Sequence, residues 1–103
     1  MIKTFKCKES KSIWKGEFSR KLPEDIQRAA RAKLRMLNNS TTINDLRVPP
    51  SNHLDTMQEY RKGDKSIRIN DQWRIVFSWE DGDCYDVEIV DYHKSLLKTI
   101  YVV

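Results

Sequence analysis

The stretch Glu88-Ile89-Val90-Asp91-Tyr92-His93-Lys94 ends an apolar run in a carboxylate, a phenol and an imidazole side by side. Upstream, Arg68 and Arg74 stand close together in "SIRINDQWRIVF". An imidazole with an ordinary pKa of about 6.5 serves as acid or base near neutrality. A guanidinium stabilises charge building on a phosphate. These residue types suit chemistry at a phosphate ester. They equally suit a plain strand end, with a salt-bridged Asp, a Tyr over the core rim and an exposed His. Residue types alone leave both readings open.

Whether the groups meet depends on the strands that carry them. "SIRINDQWRIVFSWEDGDCYDVEIVDYH" predicts three strands joined by two tight turns. Trp73, Ile75, Phe77 and Trp79 fall on one face with Ile67, Ile69, Tyr85, Val87 and Ile89. Ser66, Arg68, Arg74, Val76 and Ser78 fall on the other, where Asp86 and Glu88 are expected to face outward. A slip by one residue would exchange the faces, so the pattern supports a register with tight turns, longer loops with bulges being the alternative. A three-residue turn at Asn70-Asp71-Gln72 pairs Ile69 with Trp73 and sets Arg68 opposite Arg74. A three-residue turn at Asp81-Gly82-Asp83 pairs Phe77 with Val87 and Ile75 with Ile89. Like charges directly opposite destabilise a sheet. The arginine pair therefore calls for an anion or nearby carboxylates. The third strand reaches Trp73 at Asp91, so the acid, phenol, imidazole and two guanidiniums are expected to converge at one sheet edge.

The elements before these strands must support them. "MIKTFKC" predicts a short edge strand, its lysines suited to an edge. "SKSIWKGEF" predicts a short helix with Ile13 and Trp14 on its apolar side. "PEDIQRAARAKLRMLNN" is the clearest helix. Pro23, Glu24 and Asp25 suit its start, and Ile26, Ala30, Leu34 and Leu37 keep the helical period. Arg28, Arg31 and Arg35 gather on another of its faces. Thr42 followed by Asp45 predicts a capped short turn. Pro49 and Pro50 break the chain, and from about Lys65 the period becomes two.

The 103 residues, 39% hydrophobic and 33% charged, suit one small globular domain rather than a disordered chain. No apolar run approaches the roughly 18 residues of a membrane span. The basic start lacks the apolar centre of a secretory signal, so a cytoplasmic location is expected. Cys7 and Cys84 form no CxxC or Cys/His ligand spacing, so ordinary thiols and no metal site are expected. Residues 1–50 carry 12 Lys/Arg and 5 Asp/Glu, whereas residues 51–103 carry 7 and 10. The basic half could hold a polyanion, or could be a solvated set of helix faces.

"SIRINDQWRIVFSW" followed by "DVEIVDYHK" resembles the HigB toxins of the RelE superfamily of bacterial toxin–antitoxin systems. "LRVPPSNHLD" resembles the segment that precedes those strands in the family. The likeness covers residues 1 to about 94. It implies an α+β, RelE-like fold, two N-terminal helices packed on one face of a small, mostly antiparallel sheet in the order β-α-α-β-β-β. The whole chain, 1–103, is then one toxin domain, with 94–103 a C-terminal extension. The implied activity is ribosome-dependent, metal-free cleavage of mRNA, without a cofactor. The implied partners are a HigA-type helix-turn-helix antitoxin, the ribosome with its mRNA, and operator DNA through the antitoxin complex.

Carried over residue by residue, Arg74 matches the family arginine on the mRNA phosphate, with Arg68 beside it. Asp91, Tyr92 and His93 match the family's C-terminal triad. His93 is the expected proton-transfer group, Tyr92 a stacking or positioning group, and Asp91 a group that orients His93 or itself accepts a proton. His53, in "PPSNHLD", is a further catalytic candidate, although its match needs a gap. Arg28, Arg31 and Arg35 are candidate RNA contacts. One departure and two rival functions stand beside this reading. The tail "KSLLKTIYVV" is too apolar for a solvated end by default and could pack on the sheet or meet the antitoxin. The same fold also serves ParE-like proteins that inhibit gyrase by binding, and a degenerate member could merely bind antitoxin and operator.

Overall fold

The computed structural model describes residues 1–91 in full and the backbone of 92 and 100–102. Helices α1 (Lys8–Trp14) and α2 (Glu24–Asn39) precede strands β1 (Asp55–Thr56), β2 (Lys65–Arg68), β3 (Trp73–Glu80), β4 (Asp83–Tyr92) and β5 (Ile100–Val102). The five strands form one antiparallel sheet in sequential order. The α+β class, with two helices on one face of the sheet, is as expected. The expected first strand is reduced to two parallel bridges, Ile2 with Cys84 and Phe5 with Val87.

α1 ends one turn earlier than its apolar residues suggest, because Gly16 adopts φ 86. Its amide donates to the Ile13 carbonyl, and the Glu17 amide donates to that of Ser12. These two bonds close a Schellman end, which needs a residue free of a Cβ penalty. α2 buries Ile26, Ala30, Leu34 and Leu37, with Leu34 and Leu37 fully enclosed. Burying such a leucine contributes about 1.5–3 kcal/mol. Gln27 is also buried, bonding the Ser19 amide and the Ser19 and Leu22 carbonyls, and so ties the α1–α2 connection to α2.

The helices cover the sheet face made by Ile67, Trp73, Ile75, Phe77, Val87 and Ile89. A smaller cluster, Met57, Val76 and Val90 with Tyr60 against it, covers part of the other face. Here one expectation is corrected. Glu88 does not face solvent; it is fully buried beneath the segment 57–64. Tyr60 Oη donates to Glu88 Oε1 at 2.5 Å, and Arg61 Nη1 reaches the same oxygen at 3.1 Å.

The first turn is as expected: Ile67 pairs with Ile75 and Arg68 with Arg74. The second turn is corrected. It has two residues, Asp81 and Gly82, both at positive φ, and Glu80 pairs with Asp83. Two positive φ values give a turn whose twist matches its strands. The extra residue is taken up where Asp86, at φ 51, bulges out of β4. Beyond the bulge the register is the expected one, with Ile75 on Ile89 and Trp73 on Asp91.

Candidate active site

The site is built at the end of the sheet where the β2–β3 turn meets the end of β4. Asn70 shapes that turn: its Oδ1 accepts from the Gln72 and Trp73 amides at 2.9 and 2.8 Å. The turn fixes the pairing of Arg68 with Arg74. Each guanidinium is relieved differently. Arg68 Nη2 bonds Asp71 Oδ1 within the turn, and among the described residues its buried Nε has no hydrogen-bond acceptor. Arg74 Nε donates to Ser66 Oγ at 3.0 Å, and its Nη2 donates to the His53 carbonyl at 2.6 Å.

His53 is thus brought to Arg74, but by its main chain. It follows the short turn Pro50–Asn52 and lies in the left-handed region, φ 44 and ψ 55, with its side chain exposed. The preceding Asn52 is fully buried. Its Oδ1 accepts from Lys33 Nζ at 2.5 Å, and its Nδ2 donates to the Leu46 and Val48 carbonyls. Burial holds the Lys33 ammonium below the usual lysine range. The sequence pattern sets Ser66 on the face of Arg68 but gives it no role, and it does not single out Asn52 or Lys33.

Of the expected convergence, the arginine pair is seen, with the His53 carbonyl beside it, and the place of Asp91 is corrected. Asp91 is opposite Trp73, and by strand alternation it shares Trp73's helix-side face rather than that of the arginines. Its Oδ2 accepts from Gln72 Nε2 at 3.1 Å, which ties the end of β4 to the turn. Tyr92 closes β4 and pairs with Ile100 of β5. His93 lies outside the described residues, as do 94–99 and Val103 of the tail. The tail's Ile100, Tyr101 and Val102 return along β4, with Val102 opposite Val90.

The basic face of α2 lies in the helix layer. Arg31 is spent on structure, its Nε donating to the Ile13 carbonyl at 3.0 Å. Arg28 is exposed and lines a shallow cleft with Glu24 and Asp25. Arg35 is exposed. All three belong to the helix layer, across the sheet from Arg74. The α2 cation that connects to the site is Lys33.

A family model described as the RelE-like toxin of the type II toxin–antitoxin system HigB matches residues 3–93. The chain is 36% identical over 80 residues to Toxin HigB-1 of Vibrio cholerae, which covers 72% of this chain and 84% of that protein. It is 33% identical over 94 residues to Endoribonuclease HigB of Proteus vulgaris, covering 90% of this chain and 100% of that protein.

Proposed function

We propose an activity for a chain that belongs to the RelE-like HigB toxins of type II toxin–antitoxin systems: it is an endoribonuclease that cleaves mRNA on the ribosome. Family membership makes an antitoxin its partner. We take that antitoxin to be a HigA-type helix-turn-helix protein acting with it on operator DNA, in the cytoplasm. Among the described residues no helix is long and apolar enough to cross a membrane.

One observation carries the reading. Arg74 is held by a hydroxyl and a carbonyl beside Arg68, whose buried Nε lacks an acceptor among the described residues. A buried donor without a partner costs about 1–3 kcal/mol, and a phosphate oxygen would satisfy it. Two guanidiniums also match the charge that builds on a phosphodiester in its transition state.

In this mechanism a base removes the proton of a ribose 2′-hydroxyl. The 2′-oxygen attacks the adjacent phosphorus, and the bond to the 5′-oxygen breaks. An acid protonates that leaving oxygen. The products are a 2′,3′-cyclic phosphate and a 5′-hydroxyl. His93 and His53 are the proton-transfer groups, Tyr92 stacks on a base, and Asp91 positions the turn through Gln72. Arg28 and Arg35 contact RNA from the helix layer, with Arg31 behind them. Membership of the HigB toxins favours cleavage over gyrase binding and over a degenerate antitoxin binder.

The test maps 5′ ends of an mRNA incubated with the protein, with and without programmed ribosomes, beside His93→Ala and Arg74→Ala. Ribosome-dependent cleavage that needs both side chains is expected. Folded protein that cuts in neither condition would overturn the reading.

A further inference from the structure

We propose that Asn52 is a positioning residue for Arg74, acting through the His53 carbonyl. The inference rests on the reading that Arg74 holds the scissile phosphate. It concerns how an exposed loop carbonyl comes to be fixed well enough to aim a guanidinium.

Ser66 and His53, from different parts of the chain, both help to orient Arg74. Ser66 lies in β2, where the ladder to β3 holds it. The His53 carbonyl has no such support. It sits before β1, which is just two residues long and begins at Asp55. The loop is instead pinned from inside by Asn52. That side chain is fully buried and uses both ends of its amide. Its oxygen accepts from Lys33 on α2, while its nitrogen faces the Leu46 and Val48 carbonyls and Met36 Sδ.

Asn52 also fixes the turn through its main chain. Its amide donates to the Pro49 carbonyl at 2.9 Å, and the His53 amide donates to that of Pro50 at 3.0 Å. These bonds place His53 in its left-handed conformation, from which its carbonyl meets Arg74 at 2.6 Å. The chain of contact therefore runs Lys33, Asn52, His53 carbonyl, Arg74, from the helix layer around the sheet to the opposite face.

An amide is the side chain that fits. The position needs an acceptor for an ammonium and a donor for carbonyls at once. An aspartate in its place would supply the acceptor alone, and a leucine neither. A shift of about an ångström in a group that holds a reacting phosphate can cost about 10²-fold in rate.

The test is made on the full chain with Asn52→Asp, Asn52→Ala and Lys33→Met. The first readout is the Arg74 Nε–Hε signal by ¹⁵N NMR, assigned by its loss in Arg74→Lys. It reports the guanidinium's setting without any demand on activity. The second is single-turnover cleavage on programmed ribosomes, in the native and Arg74→Ala backgrounds.

The expected result is a displaced Arg74 signal in Asn52→Asp and Asn52→Ala, with Lys33→Met displaced less. Cleavage falls by about 10–10²-fold at unchanged half-saturation. In the Arg74→Ala background Asn52→Asp has no further effect, because both changes remove one function. A purely structural role would lower the rate equally in both backgrounds. That outcome, or an unmoved Arg74 signal in a folded variant, would overturn the proposal. If Asn52→Ala fails to fold, Asn52→Asp and Lys33→Met, which each keep part of the anchoring, decide it. A native protein that does not cleave would overturn the nuclease reading, and the NMR arm would still judge the anchoring.

Discussion

The carbonyl oxygen of His53 accepts from Arg74 Nη2 at 2.6 Å while the His53 side chain is exposed. Backbone and imidazole of this residue can therefore be separated by substitution. His53→Gly keeps the left-handed backbone, which glycine adopts freely, and so keeps the carbonyl on Arg74. We expect it to melt at or slightly above the native temperature and to cleave about 10²-fold more slowly, from loss of a proton-transfer group. His53→Val meets a left-handed cost of about 1–2 kcal/mol and should lower both stability and rate. Paired melting curves and single-turnover rates check this. A fully active His53→Gly would assign the residue's whole role to its carbonyl.

Arg74 and Arg68 are directly paired across β2 and β3 but are not equivalent. Arg68 bonds the Asp71 carboxylate of its own turn, which offsets part of its charge. Arg74 is aimed by oxygens of Ser66 and His53, from two separate segments of the chain. Arg74 is thus the more firmly aimed of the two. Arg74→Ala should lose about 10²–10³-fold in cleavage, and Arg74→Lys should restore little of it, since an ammonium cannot reproduce the planar fork. Arg68→Ala should lose less. Cleavage rates of the three variants at saturating ribosomes test the order.

Much of this pairing was legible from the chain. A three-residue turn in "SIRINDQWRI" keeps Ile67, Ile69, Trp73 and Ile75 on one face, and that register puts Arg68 on Arg74. α2 was equally plain, because Ile26, Ala30, Leu34 and Leu37 keep one helical face. The second turn was not. A two-residue turn with a bulge at Asp86 gives the same pairs from Val76 to Trp73 as a three-residue turn without one, so the apolar pattern cannot separate them. Glu88 was misread because strand alternation says which face a residue takes, not what lies over that face. Met57, Tyr60 and Arg61 come from a segment with no period to read. The His53 contact was hidden for a third reason: every residue has a carbonyl, and its direction depends on one dihedral pair.

Asp91 and Gln72 form a bond of 3.1 Å between β4 and the β2–β3 turn, on the face away from the arginines. If Asp91 acts by holding the turn, Gln72→Ala should reproduce the effect of Asp91→Asn on cleavage. The double variant should then be no worse than either single one. A three-way comparison of single-turnover rates checks this. A much larger loss in Asp91→Asn than in Gln72→Ala would mean that the carboxylate reaches the RNA or a proton itself.

The Glu88 cluster makes the last prediction, on stability. Glu88 is enclosed and shares Oε1 between Tyr60 and Arg61, while Arg61 also bonds Asp64 and the Asp86 carbonyl. Tyr60→Phe removes a donor from a buried carboxylate and should cost about 1–3 kcal/mol. Arg61→Met leaves the carboxylate without its cation and should cost about 3–5 kcal/mol. Burial, and then the bond to Glu88, raises the Tyr60 phenol well above its usual range. Burial pushes the Cys84 thiol up to about 12. Both groups are neutral in the fold and hold their protons more tightly there than in the unfolded chain. Their stabilising contribution is therefore whole below the unfolded values of 9.0 for the thiol and 10.0 for the phenol, and is lost as pH rises past them. Denaturant titrations from pH 8 upward should show a decline that begins near the thiol's unfolded value. The decline should be shallower in Tyr60→Phe, which has no phenol to ionise. Equal slopes in the two proteins would mean that Tyr60 is solvated in the fold and that the cluster is more open than its geometry indicates.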